Sequence, residues 1–365
     1  FEITGGKIIG DRDEHTGKTG EWGQGIRLQA SKNGVIQNTY ISNCWGDGIT
    51  IAGKNNNSLS SENIHVLNNV IDNNRRLGIA VTHALGGSIQ NNVIKNTNGT
   101  NPQAGIDIEP DRYGVVYDML ISGNDIFDNE NEGILISIRE SLFGDTFIER
   151  NTIENNRVYR NRRGINIGPN ATEHIISNNQ IFDNRGTGIQ IVSDGNVISN
   201  NIVQRNNGAG INVYSSANNS ITGNTVKNNT KAGVMLQESS EFNSISENVL
   251  VENSSQGVHL IRSSDNSIYG NTIQNNGSES SETSSGVLII STSRRNYITN
   301  NSFKSGSLQK YGVRVSDNTS SNNMVSYNNL RNGGTIEDLA SAGASILTGA
   351  GNFFLNGFNS DYSSL

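Results

Sequence analysis

The stretch GINVYSSANNSITGNTVKNNTKAGVMLQ, residues 210–237, contains one full period of the pattern that decides the fold. It opens with Gly-Ile-x-Val, continues with Ile-x-x-Asn-x-Val-x-x-Asn, and returns to Gly-Val-x-Leu 23 residues later. Apolar and polar residues alternate in each short run, as in half-buried strands, and Asn and Gly separate the runs, as in turns. The period therefore predicts short strands joined by tight corners.

The same unit recurs along nearly the whole chain. Gly-(Ile/Val)-x-(Ile/Leu/Val) begins at Gly25, Gly48, Gly78, Gly105, Gly133, Gly164, Gly188, Gly210, Gly233, Gly257, Gly286 and Gly312. Two or three short strands in a period of 22 to 24 residues form one coil of a parallel β-solenoid. β-Branched Ile and Val favour a β-helix over a leucine-rich repeat. We predict an all-β fold, a single parallel β-helix (solenoid) of about twelve coils with short end caps.

The two ends of the chain depart from the repeat. Residues 1–20 contain isolated isoleucines without a full unit, and the pattern breaks after about Gly333, where aromatic residues concentrate. A solenoid must cover its terminal coils, so capping explains both ends, and a subunit contact is the alternative for the second. We therefore predict a half-coil or cap at 1–20, a parallel β-helix at 21–332 and a capping segment at 333–365.

The composition agrees with this fold and excludes several classes of protein. The chain has 58 Asn and 41 Gly among 365 residues, and both residue types tolerate the positive φ of turns. Corner asparagines in successive coils are expected to stack as amide ladders. The net charge of −7 without a basic run disfavours nucleic-acid binding, and no apolar run is long enough to span a membrane. The single cysteine, Cys44, excludes an intrachain disulfide and a cysteine-based zinc site.

One coil carries an acidic cluster that the other coils lack. In Gly-Ile-x-Ile, the residue between the two apolar positions and the residue after them face outward. Only the segment GIDIEPD, residues 105–111, places carboxylates at both positions, with Asp111 following at the strand exit. Asp107 and Glu109 share a face with Cα atoms roughly 6.5 Å apart, which allows the carboxyl separations of about 5–9 Å used by glycosidases. Repulsion between the two carboxylates raises the pKa of one of them, which suits a general acid. The alternative interpretation is that the cluster is a solvated acidic face.

Neighbouring coils supply candidate partners for this acidic coil. His83 ends the preceding strand and is a candidate catalytic base. The candidate substrate-binding residues are Arg139, Glu140, Arg163, Asp47 and Trp22. The repeat spacings from Gly48 to Gly164 are 27 to 31 residues, so the extra residues form loops that wall a groove over the acidic coil. Trp22 could stack on a sugar ring there, or pack at the chain end.

The repeat, together with residues 10–23 (GDRDEHTGKTGEWG) and 44–49 (CWGDGI), resembles a known superfamily. This is the right-handed parallel β-helix superfamily of pectate lyases, polygalacturonases, alginate epimerases and phage tailspike depolymerases. The resemblance covers about residues 1–330 and implies a right-handed coil. It also implies action on a polysaccharide held along the solenoid.

Three functions follow as hypotheses. The first is a polysaccharide depolymerase of the phage tailspike type, cleaving glycosidic bonds of a bacterial surface or capsular glycan. In it, Glu109 or Asp107 is the general acid and the other is the base or nucleophile. The second is a uronic-acid polysaccharide lyase or epimerase, in which His83 removes a proton and Arg139, or a calcium ion held by Asp107, Glu109 and Asp111, offsets the substrate carboxylate. The third is a non-catalytic glycan-binding tail fibre or adhesin.

Expectations about the surroundings of the protein follow from the first hypothesis. We predict no cofactor except possible calcium, an extracellular or virion (phage tail) location, no nucleic-acid partner and no membrane insertion. The chain starts at Phe1 without a signal peptide, which suggests a fragment that has lost an N-terminal part. A homotrimer is expected, with an interface drawn from outward apolar residues: Leu135, Met235, Ile261, Leu288 and Ile290.

Overall fold

A computed structural model describes residues 1–138, 145–278, 281, 283–335, 337–341, 346–348, 352–354, 357–358 and 363–364. Within these residues there are strands and turns but no helix, which confirms the predicted all-β class. The chain forms two compact units, Phe1–Arg185 and Gly186–Leu365. Parallel strands in each unit stack into three sheets, which we name first, second and third in the order in which the chain enters them.

The unit Phe1–Arg185 contains strands β1 to β23. Its first sheet is formed by β1 (Glu2–Thr4), β4 (Lys32–Gln37), β7 (Ser61–Leu67), β10 (Ala84–Gln90), β13 (Val115–Tyr117), β14 (Leu120–Ser122), β17 (Phe147–Glu149), β18 (Thr152–Glu154), β21 (Ala171–Thr172) and β22 (Ile175–Ser177). Its second sheet is formed by β2 (Lys7–Ile9), β5 (Tyr40–Ser42), β8 (Val70–Asp72), β11 (Val93–Lys95), β15 (Asp125–Phe127), β19 (Arg157–Tyr159) and β23 (Gln180–Phe182). Its third sheet is formed by β3 (Ile26–Gln29), β6 (Ile49–Ala52), β9 (Leu77–Val81), β12 (Ala104–Ile108), β16 (Glu132–Ile136) and β20 (Arg163–Ile167).

The unit Gly186–Leu365 repeats this arrangement. Its third sheet is formed by β24 (Ile189–Ile191), β27 (Ile211–Tyr214), β30 (Val234–Gln237), β33 (Val258–Ile261), β36 (Ser285–Ile290), β39 (Tyr311–Val315) and β41 (Glu337–Ser341). Its first sheet is formed by β25 (Val197–Ser199), β28 (Ser220–Thr222), β31 (Ser244–Ser246), β34 (Ser267–Tyr269), β37 (Tyr297–Thr299), β40 (Asn323–Ser326), β42 (Ile346–Thr348) and β45 (Ser363–Ser364). Its second sheet is formed by β26 (Ile202–Gln204), β29 (Thr225–Lys227), β32 (Val249–Val251), β35 (Thr272–Gln274) and β38 (Ser302–Lys304). The short strands β43 (Phe353–Phe354) and β44 (Gly357–Phe358) pair antiparallel.

Inward-facing aliphatic residues of successive coils stack in register and form the core. Ile79, Ile106 and Ile134 are register partners on consecutive strands, and all three are fully buried. The repeat glycine is required by close packing between coils. A Cβ added at Gly105 would lie 2.7 Å from the carbonyl oxygen of the next repeat glycine, Gly133, which is closer than real Cβ contacts allow.

The corner asparagines form the predicted ladders. In the pair Asn155-Asn156, the first residue takes a left-handed conformation with φ of 57° and turns the chain. The second is buried, and its backbone N and Nδ2 donate to Oδ1 of Asn179 in the next coil at 2.9 and 3.0 Å. One such ladder in the unit Phe1–Arg185 consists of Asn69, Asn92, Asn124, Asn156 and Asn179. One in the unit Gly186–Leu365 consists of Asn201, Asn224, Asn248, Asn271, Asn301 and Asn328.

The chain start and the chain end are joined to the solenoid by strand pairing. β1 pairs with β4 and β2 with β5, both parallel, so the first residues already follow the coil. β42 and β45 pair antiparallel near the other end. Much of 333–365 lies outside the described residues, and the division of the chain at 20 and 332 stays a prediction.

Candidate functional site

Strand register in the unit Phe1–Arg185 places outward residues of successive coils side by side, as predicted. β12 pairs with β9 and with β16, so that Asp107 lies between Ala80 and Leu135. On β3 and β6, Arg27 lies beside Thr50. The third sheet therefore carries a column in which one carboxylate stands between aliphatic neighbours.

Asp107 is covered by the protein. The residue is only 1% exposed, and within the described part of the chain neither carboxyl oxygen has a hydrogen-bond partner. Its column neighbours Ala80 and Leu135 pack with two further apolar residues, Leu77 and Ala104. Burial raises the pKa of Asp107 well above its ordinary value, and the nearby carboxylate of Glu109 raises this pKa further. The protonated form of Asp107 is thus favoured.

Replacing Asp107 by Asn is expected to stabilise the chain at neutral pH and to change little near pH 4. The unfolded chain ionises this carboxyl above its ordinary pKa of about 3.9, whereas the folded chain keeps it protonated until its raised pKa is passed. The unfolded state then binds fewer protons, so the free energy of unfolding falls as the pH rises through this window. Asn has no ionisable carboxyl group, so the variant avoids this loss of stability. We expect its free energy of unfolding at pH 7 to be higher by on the order of 1–3 kcal/mol.

Urea unfolding at pH 4 and pH 7 measures this gain. Asp118→Asn is the matched control, since the Asp118 side chain is 62% exposed and pairs only with Arg150 among the described residues. Equal effects of Asp107→Asn at the two pH values, or a loss of stability at pH 7, would contradict the assignment.

Two adjoining cavities lie over the third sheet of this unit. The smaller, of about 270 Å³, we name the acidic cleft; it is lined by Glu21, Trp22, Gln24, Arg27, Asp47, Thr50, Ala52, Arg76, Thr82, Glu109 and Asp111. The larger, of about 560 Å³, we name the basic pocket; it is lined by Arg27, Gln29, Ala52, Gly53, Lys54, Asn55, Asn56, Asn57, Thr82, Asp111, Arg112 and Tyr113. Four residues line both cavities, which together form one groove: Arg27, Ala52, Thr82 and Asp111. Asp107, predicted as a catalytic residue of the groove, lines neither cavity.

Arg76 is the centre of the acidic cleft. Its Nη1 donates to both carboxyl oxygens of Asp47 at 3.1 and 3.3 Å, its Nε lies 3.3 Å from a carboxyl oxygen of Glu21, and its Nη2 lies 3.9 Å from Oε2 of Glu109. The Arg76 side chain is only 13% exposed, so these charges interact with little screening by water. Sequence reasoning missed Arg76, although its place just before β9, one coil after Asp47, is a signal that could have identified it.

Asp47, predicted to bind substrate, lines the cleft as a buried ion-pair partner. It is 2% exposed, and Oδ2 also accepts a hydrogen bond from Thr50 Oγ1 at 2.9 Å. Burial raises the pKa of Asp47, and the charge of Arg76 opposes this rise. Asp47 therefore orients Arg76.

Glu109 and Asp111 are the two residues of the predicted acidic cluster that reach the groove. The Glu109 side chain is 17% exposed and faces the acidic cleft. Asp111 is exposed and lies where the two cavities join. The structure therefore brings together a carboxylate beside Arg76 and a second carboxylate two residues farther along the same chain segment.

His83 has a different place from the one expected of a base. The residue is 3% exposed, Nδ1 accepts from the backbone N of Val115 at 2.9 Å, and Nε2 lies 2.8 Å from Ser60 Oγ. Because Nδ1 is the acceptor, Nε2 carries the proton and donates to Ser60. Burial lowers the pKa of His83. Both nitrogens are used within the fold, and His83 lines neither cavity.

The two tryptophans differ in availability. Trp22 is 67% exposed at the acidic cleft, and the Arg27 guanidinium carbon lies 5.3 Å from the centre of its ring. The Trp45 ring stacks on His15 with 3.9 Å between the ring centroids. The guanidinium carbon of Arg75 lies 3.9 Å from the Trp45 ring centroid. Trp22 therefore offers an exposed aromatic surface beside Arg27, whereas Trp45 packs within the fold.

Arg163, the remaining predicted residue that the structure describes, lies apart from the cavities. Arg163 Nη1 donates to Glu132 Oε1 at 2.8 Å, and neither residue lines the groove. Arg139 and Glu140 lie outside the described residues. No group of three or more His, Cys, Asp or Glu residues able to hold a metal occurs in the described ranges, and the calcium ion considered for Asp107, Glu109 and Asp111 stays a prediction. A search of the same ranges finds no helix that could cross a membrane.

Comparison with known families gives one match. The model described as "Right handed beta helix region" matches residues 2–116, 100–250, 146–303 and 198–359, which together span nearly the whole chain.

Two curated relatives match part of the chain, both from Bacillus subtilis (strain 168). The uncharacterized protein YclG is 37% identical over 120 residues, covering 29% of this chain and 20% of the relative. The SPbeta prophage-derived uncharacterized protein YorA is 35% identical over 122 residues, covering 29% of this chain and 21% of the relative. The match thus spans about a fifth of each relative's length.

Solved structures share the fold at low sequence identity. The A-module of the Azotobacter vinelandii mannuronan C-5 epimerase AlgE6 has a TM-score of 0.61 at 15% identity, covering 88% of this chain and 90% of that one. A GH87 alpha-1,3-glucanase from Streptomyces thermodiastaticus has a TM-score of 0.55 at 13% identity, covering 92% and 65%. The enzymatically active domain of bacteriophage CBA120 tailspike protein 2 has a TM-score of 0.51 at 14% identity, covering 87% and 48%.

Proposed function

The chain belongs to the right-handed β-helix family, and on this basis we propose that it is a carbohydrate-active enzyme that hydrolyses glycosidic bonds in an extended surface polysaccharide. The observation that carries the proposal is the acidic cleft, where Glu109 and Asp111 line a cavity that continues into the basic pocket. A continuous groove suits a polymer. The named activities of the structural neighbours, an epimerase, a glucanase and a tailspike, support a polysaccharide as the substrate.

The two groove carboxylates have separate roles in this proposal. Nη2 of Arg76 lies 3.9 Å from Oε2 of Glu109 and holds this side chain in the cleft, so we assign Glu109 as the general base or nucleophile. Asp111 is the general acid that protonates the departing glycosidic oxygen. The bond between the anomeric carbon and that oxygen breaks. Water supplies the hydroxyl group that joins the anomeric carbon, and its remaining proton passes to the groove carboxylates and replaces the one that Asp111 gave up. Asp107 is buried and lines neither cavity, so it has no contact with the sugar in this proposal.

A second candidate is a lyase or epimerase on a uronic-acid polymer. It is favoured by the basic pocket, where three cationic side chains could hold sugar carboxylates: Arg27, Lys54 and Arg112. His83, the base considered for this chemistry, has both nitrogens engaged, so a groove carboxylate would have to remove the C5 proton.

The biological setting is also a proposal. We propose an extracellular or virion-tail location, for which the name of the prophage-derived relative gives support. A homotrimer remains our expectation for the assembly. Of the apolar residues considered for its interface, Leu288 is 2% exposed and is part of the core, whereas Met235, Ile261 and Ile290 are half-buried.

A product assay tests the function. The protein is incubated with purified bacterial capsular polysaccharides, and new reducing ends and ultraviolet absorption by unsaturated uronate are measured. We expect reducing ends without unsaturated products. Unsaturated ends would instead support the lyase, and binding without any product would support a non-catalytic fibre or adhesin.

A further inference from the structure

The two halves of the groove carry opposite charge. The acidic cleft is lined by four carboxylates and two guanidinium groups, one of which, that of Arg76, is in contact with three of the carboxylates. The basic pocket is lined by three basic side chains and one acidic one, Asp111. The chain as a whole is acidic, with a net charge of −7. The basic pocket is therefore a region of positive charge on an otherwise acidic protein.

Among the described residues, two of the basic side chains in the pocket have no anionic partner. Most arginines of this unit contact a carboxylate: Arg76, Arg112, Arg150, Arg157, Arg160, Arg163 and Arg185. Within the described residues, no carboxylate lies in ion-pair range of Arg27 or Lys54. The contact recorded for Arg27 is the face of Trp22, which leaves the edges of its guanidinium group open for bidentate hydrogen bonds to a carboxylate.

The wall of the basic pocket is pre-formed around these cations. Lys54 and Leu59 exchange two backbone hydrogen bonds at 3.0 and 3.2 Å, which close the loop between them. Three successive asparagines in that loop have positive φ and line the pocket with amide groups: Asn55, Asn56 and Asn57. Nδ2 of Asn57 donates to the carbonyl oxygen of Arg112 at 3.0 Å and fixes the loop to the opposite wall. The pocket volume of about 560 Å³ is in the range of small-molecule sites.

From this charge pattern we propose that the basic pocket is a subsite for a carboxylate-bearing sugar, and that the adjoining acidic cleft holds a neutral sugar. The proposal rests on the function proposed above and names its substrate class, a heteropolysaccharide in which acidic and neutral residues alternate. Arg27 and Lys54 bind the acidic residue, and the asparagine amides bind its hydroxyl groups. A second acidic residue in the cleft would face four carboxylates, so a polymer of uronate alone fits the groove poorly.

Affinity electrophoresis tests the proposal with purified capsular polysaccharides of three classes: alternating acidic and neutral, all-uronate, and neutral. Each acidic polymer is also used after chemical reduction of its carboxyl groups. We expect the tightest binding to an alternating polymer. Carboxyl reduction, or the double variant Arg27→Gln/Lys54→Gln, should weaken this binding by about 10- to 100-fold.

Controls separate this proposal from the proposed function. Arg157→Gln removes an arginine that pairs with Asp125 on the second sheet, away from the groove, and should bind as the wild type does. Equal binding and cleavage of native and carboxyl-reduced polymer would overturn the acidic subsite and leave the enzyme function standing, as would a preference for neutral or all-uronate polymers. Failure to bind any polymer would overturn both proposals.

Discussion

Replacing Glu109 by Gln is expected to lower polysaccharide cleavage by about 10²- to 10⁴-fold, the usual contribution of a positioned acid or base. Gln keeps the shape of Glu109 but can neither accept a proton nor attack the anomeric carbon. The side chain faces the acidic cleft beside Arg76, whose other two carboxylate contacts, Asp47 and Glu21, remain in the variant. The fold should therefore persist while the chemistry is lost.

Rates of reducing-end release, together with the thermal midpoint, measure this effect. Glu149→Gln makes the same chemical change on the first sheet, where Glu149 pairs with Arg150, and should keep full activity. Asp111→Asn should also reduce the rate strongly. Full activity in both Glu109→Gln and Asp111→Asn would remove the acidic cleft as the catalytic site.

Replacing Asn124 by Ala is expected to destabilise the chain by about 3–5 kcal/mol, because several buried hydrogen bonds are lost together. Asn124 Nδ2 donates to Asn156 Oδ1 at 2.9 Å and to the carbonyl oxygen of Ile89 at 2.8 Å. Its Oδ1 accepts from the backbone N and Nδ2 of Asn92 at 2.9 and 3.0 Å. Ala removes all of these bonds in the middle of the ladder, and Asn92 Nδ2 keeps its bond to the carbonyl oxygen of Val66.

Urea unfolding of the full chain measures this loss. Asn207→Ala is the matched control, since Asn207 is exposed and its side chain accepts a bond only from Thr230 Oγ1 at 3.2 Å within the described residues. We expect a shift of less than about 0.5 kcal/mol for the control. Similar midpoints for the two variants would mean that the amide ladder contributes little to stability.

The fold could be predicted almost entirely from the repeat. A period of Gly-Ile-x-Ile followed by two Asn-bounded runs fixes which side chains face inward, because the side-chain direction alternates along each strand. The register partners of Ile106 and the ladder at Asn156 are direct consequences of stacking identical units. Every coil carries the same sequence pattern, so the fold prediction does not depend on the pattern of any single coil.

The candidate site could be predicted only in part. The sequence singled out the coil of Asp107, Glu109 and Asp111 as the one with an acidic outer face, and two of these three residues do line the groove. It missed Arg76, which lies just before β9 and one coil after Asp47, outside the alternating pattern of the strands. It named His83 as a candidate base, and the structure places the His83 nitrogens against Ser60 and the backbone of Val115.

The sequence by itself determined that the chain coils, which residues form the core, and which coil carries the acids. Only the tertiary structure decided that Asp107 is buried while Glu109 meets the cavity, and that Arg76 lies between Glu109 and Glu21 of the N-terminal segment. The physical reason is that the alternation of residues along a strand indicates only whether a side chain faces the core or the outer side of the sheet. What covers that face depends on loops from other coils, which become neighbours only after the chain has coiled.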